Sequence, residues 1–122
     1  MKVYVYFNIR RKLFSVKALE GHHKGTVFLH VEEVFLHGVQ FKVSESGRQR
    51  VLKEKRKNVH AGVVGHVDCA RVITDRDEQI TYNPYRFSSF VKLPDETPVT
   101  AANHVRLSIE DNKAKIRAIH AW

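Results

Sequence analysis

Along most of this chain, apolar and polar residues alternate with a period of two, and that alternation limits the possible folds more than any other property of the sequence. Val3, Val5 and Phe7 interleave with Lys2, Tyr4, Tyr6 and Asn8. Arg10, Arg11 and Lys12 break the pattern and residues 13–19, LFSVKAL, resume it, which predicts a β-hairpin with a basic turn. Gly21-His22-His23-Lys24-Gly25 predicts a second turn. Residues 26–31 and 34–43 then read as two further strands, the second with a bulge at Gly38. Four antiparallel strands are expected in the first 43 residues.

The period changes in the stretch RQRVLKEKRKNVHAGVVG, residues 48–65. It carries six basic side chains in its first ten positions, opposed only by Glu54, and then becomes apolar and glycine-punctuated. Ser44 or Ser46 suits a helix N-cap, Gln49 follows Ser46 at capping-box spacing, and the cations toward Lys57 suit the negative end of a helix dipole. One helix is predicted over about 45–57. Val51 and Leu52, with the stems of Arg and Lys, supply only a narrow apolar stripe. Such a run is compatible with a solvated helix face, a phosphate-binding surface or a disordered basic arm.

Strand chemistry returns over 59–67, with 68–72 suited to continue it, and again at 80–82, 85–92, 105–109 and 114–119. Residues 73–79 and LPDETP, 93–98, read as loops, Asn83-Pro84 as a turn, and Asp111-Asn112-Lys113 as a hairpin turn. The expected fold class is α+β in one domain: an N-terminal antiparallel four-stranded sheet (1–43) packed on one basic helix (44–58), followed by a C-terminal antiparallel sheet (59–122). One thin helix over two small sheets leaves apolar faces and edges to bury. A homo-oligomer built from dimers is therefore expected.

With 122 residues the chain has room for one modest core, and 43% apolar content is enough to fold it. The net charge of +8 favours anionic partners. No apolar run reaches membrane-span length, and the N-terminus reads as a strand rather than a signal peptide, so no membrane partner is expected and the cytoplasm is the expected location. The single cysteine, Cys69, excludes an internal disulfide.

Catalytic and metal patterns are weak. None of the eight histidines shows metal-protease spacing, so no metal and no cofactor are expected. Cys69 beside Asp68 is a poor nucleophile, because the carboxylate opposes thiolate formation. A non-catalytic protein is expected. Two other clusters point to binding. Arg56, Lys57, Asn58 and His60 follow one another at the predicted chain reversal and offer charge and hydrogen-bond donors to a phosphate or base. In TYNPYRFSSF, residues 81–90, the rings of Tyr82, Tyr85, Phe87 and Phe90 bracket Asn83 and Arg86, a composition suited to stacking on a base. The plainer alternative is that Tyr85 and Phe87 face the core while Asn83-Pro84 only turns the chain.

The strings VYFNIRRKLFSVKALEG, FKVSESGRQRVLKEKRKNVHAGVVG and ITYNPYRFSSF resemble a family of small tailed-phage and prophage proteins, with the RKNVHAGVVG and YNPY pair the most specific part. The layout is also similar to that of the phage anti-Thoeris sponges, oligomers that sequester cyclic ADP-ribose isomers, and in some cases cyclic oligonucleotides, without cleaving them. That resemblance implies ligand contacts from Arg56 in the basic segment and Asn83 in the second half, stacking by Tyr82, Tyr85 or Phe87, and further contacts from Arg106 and Arg117. Two other classes compete. A nucleic-acid-binding phage module would show the same charge, although acidic residues at 75–78, 95–96 and 110–111 interrupt an extended basic track. An inhibitor of a host protein is the other.

Overall fold

The computed structural model describes residues 1–56, 59–68 and 77–122. Alternation dominates it. The strands are β1 (Lys2–Asn8), β2 (Leu13–Ala18), β3 (Val27–Val31), β4 (Glu33–Val43), β5 (Ala61–Val67), β6 (Glu78–Thr81), β7 (Val91–Lys92), β8 (Thr97–Pro98), β9 (Ala101–Glu110) and β10 (Lys113–Ala121), with one helix, α1 (Glu45–Glu54), between β4 and β5. Among the described residues, all ten strands join one antiparallel sheet in the order β3-β2-β1-β5-β4-β9-β10-β6-β7-β8.

This corrects the expected α+β arrangement of two sheets about a helix. The first four strands do not form a sheet of their own, because β5 inserts between β1 and β4. Val63 of β5 stands opposite Val5 on one side and Phe41 on the other. The long pair β9 and β10 then extends the same sheet from the other edge of β4. Such pairing joins residues far apart in sequence, and strand periodicity carries no information about it.

One face of the sheet is the core. Val3, Val5, Phe14, Val16, Leu36, Val63, Val105 and Leu107 are all essentially inaccessible. The sheet curls about this face until β2 touches β9, with three strands lying between them in the sheet order. A cavity of about 180 Å³ remains inside the curl, lined by Val5, Phe14, Val63, Ile80, Phe90 and Leu107 among others. Two devices shape the curl. Gly38 adopts a positive φ of 57° where the β4–β5 register slips between His37 and Gln40, which is the bulge the sequence suggested. Gly62 lies under the Tyr4 ring, and a Cβ there would come within 2.5 Å of it.

The helix is shorter than expected. Ser44 caps it, accepting from the Gly47 amide, while the Ser46 hydroxyl bonds Ser44 and the Gln49 amide donates to Glu45, so the Ser46 capping box does not form. Lys55 enters the left-handed region at φ 55° and its N–H closes on the Val51 carbonyl, which ends the helix at Glu54. Val51 is its one buried residue. The strand expected over 85–92 is also corrected: only Val91–Lys92 pairs, and residues 84–86 form a turn. Cys69, Asn58, Lys57 and most of the predicted 73–79 loop lie outside the described residues. No helix among the described residues is long and apolar enough to cross a membrane.

Candidate ligand-binding groove

Where the curled sheet ends beneath α1, a groove of about 440 Å³ opens between four chain segments. Phe7 and Ile9 line it from the β1–β2 hairpin, Val51 from the helix, and Val59, His60 and Ala61 from the approach to β5. Tyr82, Asn83, Pro84 and Tyr85 close the opposite wall. Phe7, Ala61 and Tyr82 also line the internal cavity, so the groove backs onto the core. A volume in this range suits a small organic ligand.

Few apolar contacts hold the helix here, and polar ties replace them. Arg48 is largely buried, and its Nε donates to the carbonyls of Pro84 at 3.1 Å and Phe87 at 2.9 Å. Its Nη1 also pairs with Glu45 at 3.2 Å. The Glu45 carboxyl lies below its ordinary range, first because the Gln49 amide donates to it and also because of the Arg48 charge. The Ser44 amide donates to the His60 carbonyl at 2.7 Å. Gly47 lies so close to the residue preceding β5 that a Cβ would fall 2.6 Å from that of His60. Arg48 and Val51 stand three residues apart, which places both on the helix face toward the groove.

The groove's polar centre is a 2.6 Å hydrogen bond between His60 Nε2 and the Tyr82 hydroxyl. Tyr82 stacks on Phe90 at 5.1 Å, and Phe90 packs on Phe41 at 5.2 Å, so an aromatic row runs from the groove wall into the core. Burial raises the Tyr82 hydroxyl above its ordinary pKa; the Arg48 charge opposes this and the Glu45 charge adds to it. The pair offers a ligand one ring edge and one polar contact in apolar surroundings.

The structure brings His60, Tyr82, Asn83 and Tyr85 together in the groove. It gives Asn83 a structural task as well: its side-chain oxygen accepts from the Tyr85 amide at 3.0 Å, and its carbonyl accepts from the amides of Arg86 and Phe87. Arg86 pairs with Glu96 at 2.8 Å and lies over the Phe87 ring at 5.0 Å. Arg56 is exposed two residues beyond the helix. Arg106 and Arg117 do not join this cluster. They stand opposite each other on β9 and β10, between core-facing neighbours, and so project from the other face. Arg106 is held by Glu33 at 2.8 Å and Arg117 Nη1 donates to the Asp77 carbonyl.

Sequence reasoning missed Phe7, Ile9, Val51 and Val59 as groove residues, and Arg48 as the side chain that ties the helix to its wall. Ile9 carried a usable signal, because it breaks the polar character of the turn it begins and is left half exposed. On the far face, His37 and His104 each place Nδ1 3.5 Å from Asp68 Oδ2, and His66 stacks on His37. No group of three or more such side chains among the described residues is arranged to hold a metal ion.

Fold and groove define a small antiparallel-β protein that presents an aromatic groove at one end of a curled sheet. The chain belongs to the family described as Mycobacterium phage L5 gene 82 protein, whose model matches residues 1–115. It is 36% identical over 114 residues to the Gene 82 protein of Mycobacterium phage L5, covering 88% of this chain and 90% of that protein. No solved structure matches it. The resemblance to a small phage protein family holds at that level.

Proposed function

We propose that this phage-family protein is a non-catalytic binder that sequesters a small ring-bearing anionic signal, of the cyclic ADP-ribose type, as an anti-defence sponge in the host cytoplasm. The observation that carries the reading is the groove itself, in which Tyr82, Tyr85 and Phe7 supply aromatic surface around the His60–Tyr82 hydrogen bond. Cations flank it in sequence: Arg10 and Arg11 follow Ile9, and Lys55 and Arg56 follow the helix. Rings beside cations suit a compact diphosphate carrying a base.

The test is depletion. Mixed with cyclic ADP-ribose isomers, the protein should lower the free ligand, and heat denaturation should return it unchanged. New products would make it an enzyme. Selective, steeply salt-dependent binding of oligonucleotides would favour the nucleic-acid module instead. Just beyond the helix, Arg56→Ala should weaken ligand binding by about ten- to a hundredfold, the worth of one charged hydrogen bond, and leave stability within a few tenths of a kcal/mol. Unchanged affinity would remove Arg56 from the site.

A further inference from the structure

Among the described residues the ten-stranded sheet has two free edges, and they are finished differently. One ends in β8, two residues long and containing Pro98, which cannot donate to a further strand. The other ends in β3, VFLHV, which has no proline and no Lys, Arg, Asp or Glu within it. Phe28 and Leu29 are 41% and 48% exposed there. The register against β2 shifts only at its start, where Lys17 meets Val27, while Val16↔Leu29, Ser15↔His30 and Phe14↔Val31 form a regular ladder. Leu29 therefore lies on the core face, level with buried Val16. His30 is drawn back onto its own sheet by a 2.9 Å bond to the buried Ser15 hydroxyl, which Asn8 also contacts.

We infer that a second copy of this chain pairs with this edge, β3 against β3, antiparallel about a two-fold axis within residues 29–31. Charge selects both the partner and the direction. The strand is preceded by His22, His23 and Lys24 and followed by exposed Glu32 and by Glu33, whose carboxylate Arg106 of the same chain already holds. Antiparallel self-pairing sets the basic end of one copy beside the acidic end of the other, whereas parallel pairing sets like charges together. It also places Leu29 and Val31 of the two copies side by side, which continues the apolar core face across the axis. The interface satisfies the outward amides and carbonyls of β3 and joins the two sheets into one.

Light scattering over a concentration series should give a mass of twice the 14.1 kDa chain. Leu29→Lys, at an exposed edge position, should weaken the dimer by about tenfold or more. Lys24→Glu and Glu32→Lys should each weaken it several-fold, and the two combined in one chain should restore it, since the Lys24–Glu32 attraction across the axis is then reversed but complementary. Hydrogen exchange should show the amides of 28–31 protected in the dimer and released on dilution. A monomer at every concentration overturns the inference and leaves the edge to another protein's strand. A dimer that survives Leu29→Lys and ignores the charge reversals overturns it as well, by locating the contact elsewhere.

Discussion

The interior of the curled sheet and the groove at its end share β1, β5 and the residues that follow β6, yet they hold their side chains by different means. In the interior, Val3, Val5, Phe14, Val16, Leu36 and Leu107 meet through strand register alone and exclude water almost completely. In the groove, Val51 is the helix's only buried residue, Val59 and Tyr85 are exposed, and individual hydrogen bonds from Arg48, Ser44, His60 and Asn83 fix the walls. Stability in the first region depends on area and packing. In the second it depends on a few directed bonds, so the groove's shape can be altered without unfolding the sheet.

The largest effect that separates the two regions is the cost of truncating an apolar side chain. Leu36→Ala should lower the unfolding free energy by about 2–5 kcal/mol, because the side chain is fully enclosed and its neighbours on β5 and β9 are fixed by the ladder. Ile9→Ala, at a half-exposed groove position, should cost about 1 kcal/mol or less. Urea titration of both measures the contrast, and equal losses would mean that the groove is packed as tightly as the interior.

A smaller effect tests whether directed bonds hold the groove. Arg48→Ala removes two hydrogen bonds to backbone carbonyls in a largely buried setting, for a cost of about 1.5–3 kcal/mol, from which loss of the exposed Glu45 pair subtracts little. Arg48→Lys should recover only part of it, since one ammonium does not reproduce the planar donor that serves both carbonyls. Hydrogen exchange should locate the damage in α1 and residues 83–87. A loss spread evenly over β1, β5 and β9 would show that the helix is integral to the sheet.

The same division explains how much was legible in the sequence. Alternation located β1, β2, β3 and β4, the Gly38 bulge, and the hairpin that turns at Asp111 and Asn112, both with positive φ. These depend on neighbours in sequence. The insertion of β5 between β1 and β4 depends on partners far along the chain, and the Val-Val pair of AGVVGHV suits a central strand of any sheet. In the groove, His60 and TYNPYRFSSF are two separate clusters in the sequence that meet through the His60–Tyr82 bond, and the aromatic content of 85–92 suggests a strand where turn-forming Asn83-Pro84 governs. The arginines carried over from the resemblance, Arg106 and Arg117, follow strand parity to the far face, a consequence legible only once the core-facing set on β9 and β10 is fixed.

The smallest effect concerns protons, and it sharpens the comparison at one atom. Burial holds the Tyr82 hydroxyl above its ordinary value of 10.0, with Arg48 opposing and Glu45 reinforcing the shift. For an acid whose folded pKa exceeds its unfolded one, the native state binds more protons between the two values, so stability falls with rising pH there. The contribution is complete below pH 10.0 and is lost as pH climbs from 10.0 through the raised folded value. Tyr4, which lies over Gly62 on the far face, is raised too, by burial first and by Tyr6 second, so the wild-type alkaline loss has two sources. Tyr82→Phe should remove the groove's share and Tyr4→Phe the other. Denaturation midpoints measured just below and well above pH 10, with phenolate absorbance followed in parallel, resolve them. A ligand seated against Tyr82 should displace only the groove's share to still higher pH, by taking water from around the hydroxyl. An alkaline profile in Tyr82→Phe identical to that of the wild type would show that the hydroxyl is as well hydrated as in the unfolded chain, and that the groove wall beside His60 is open to water.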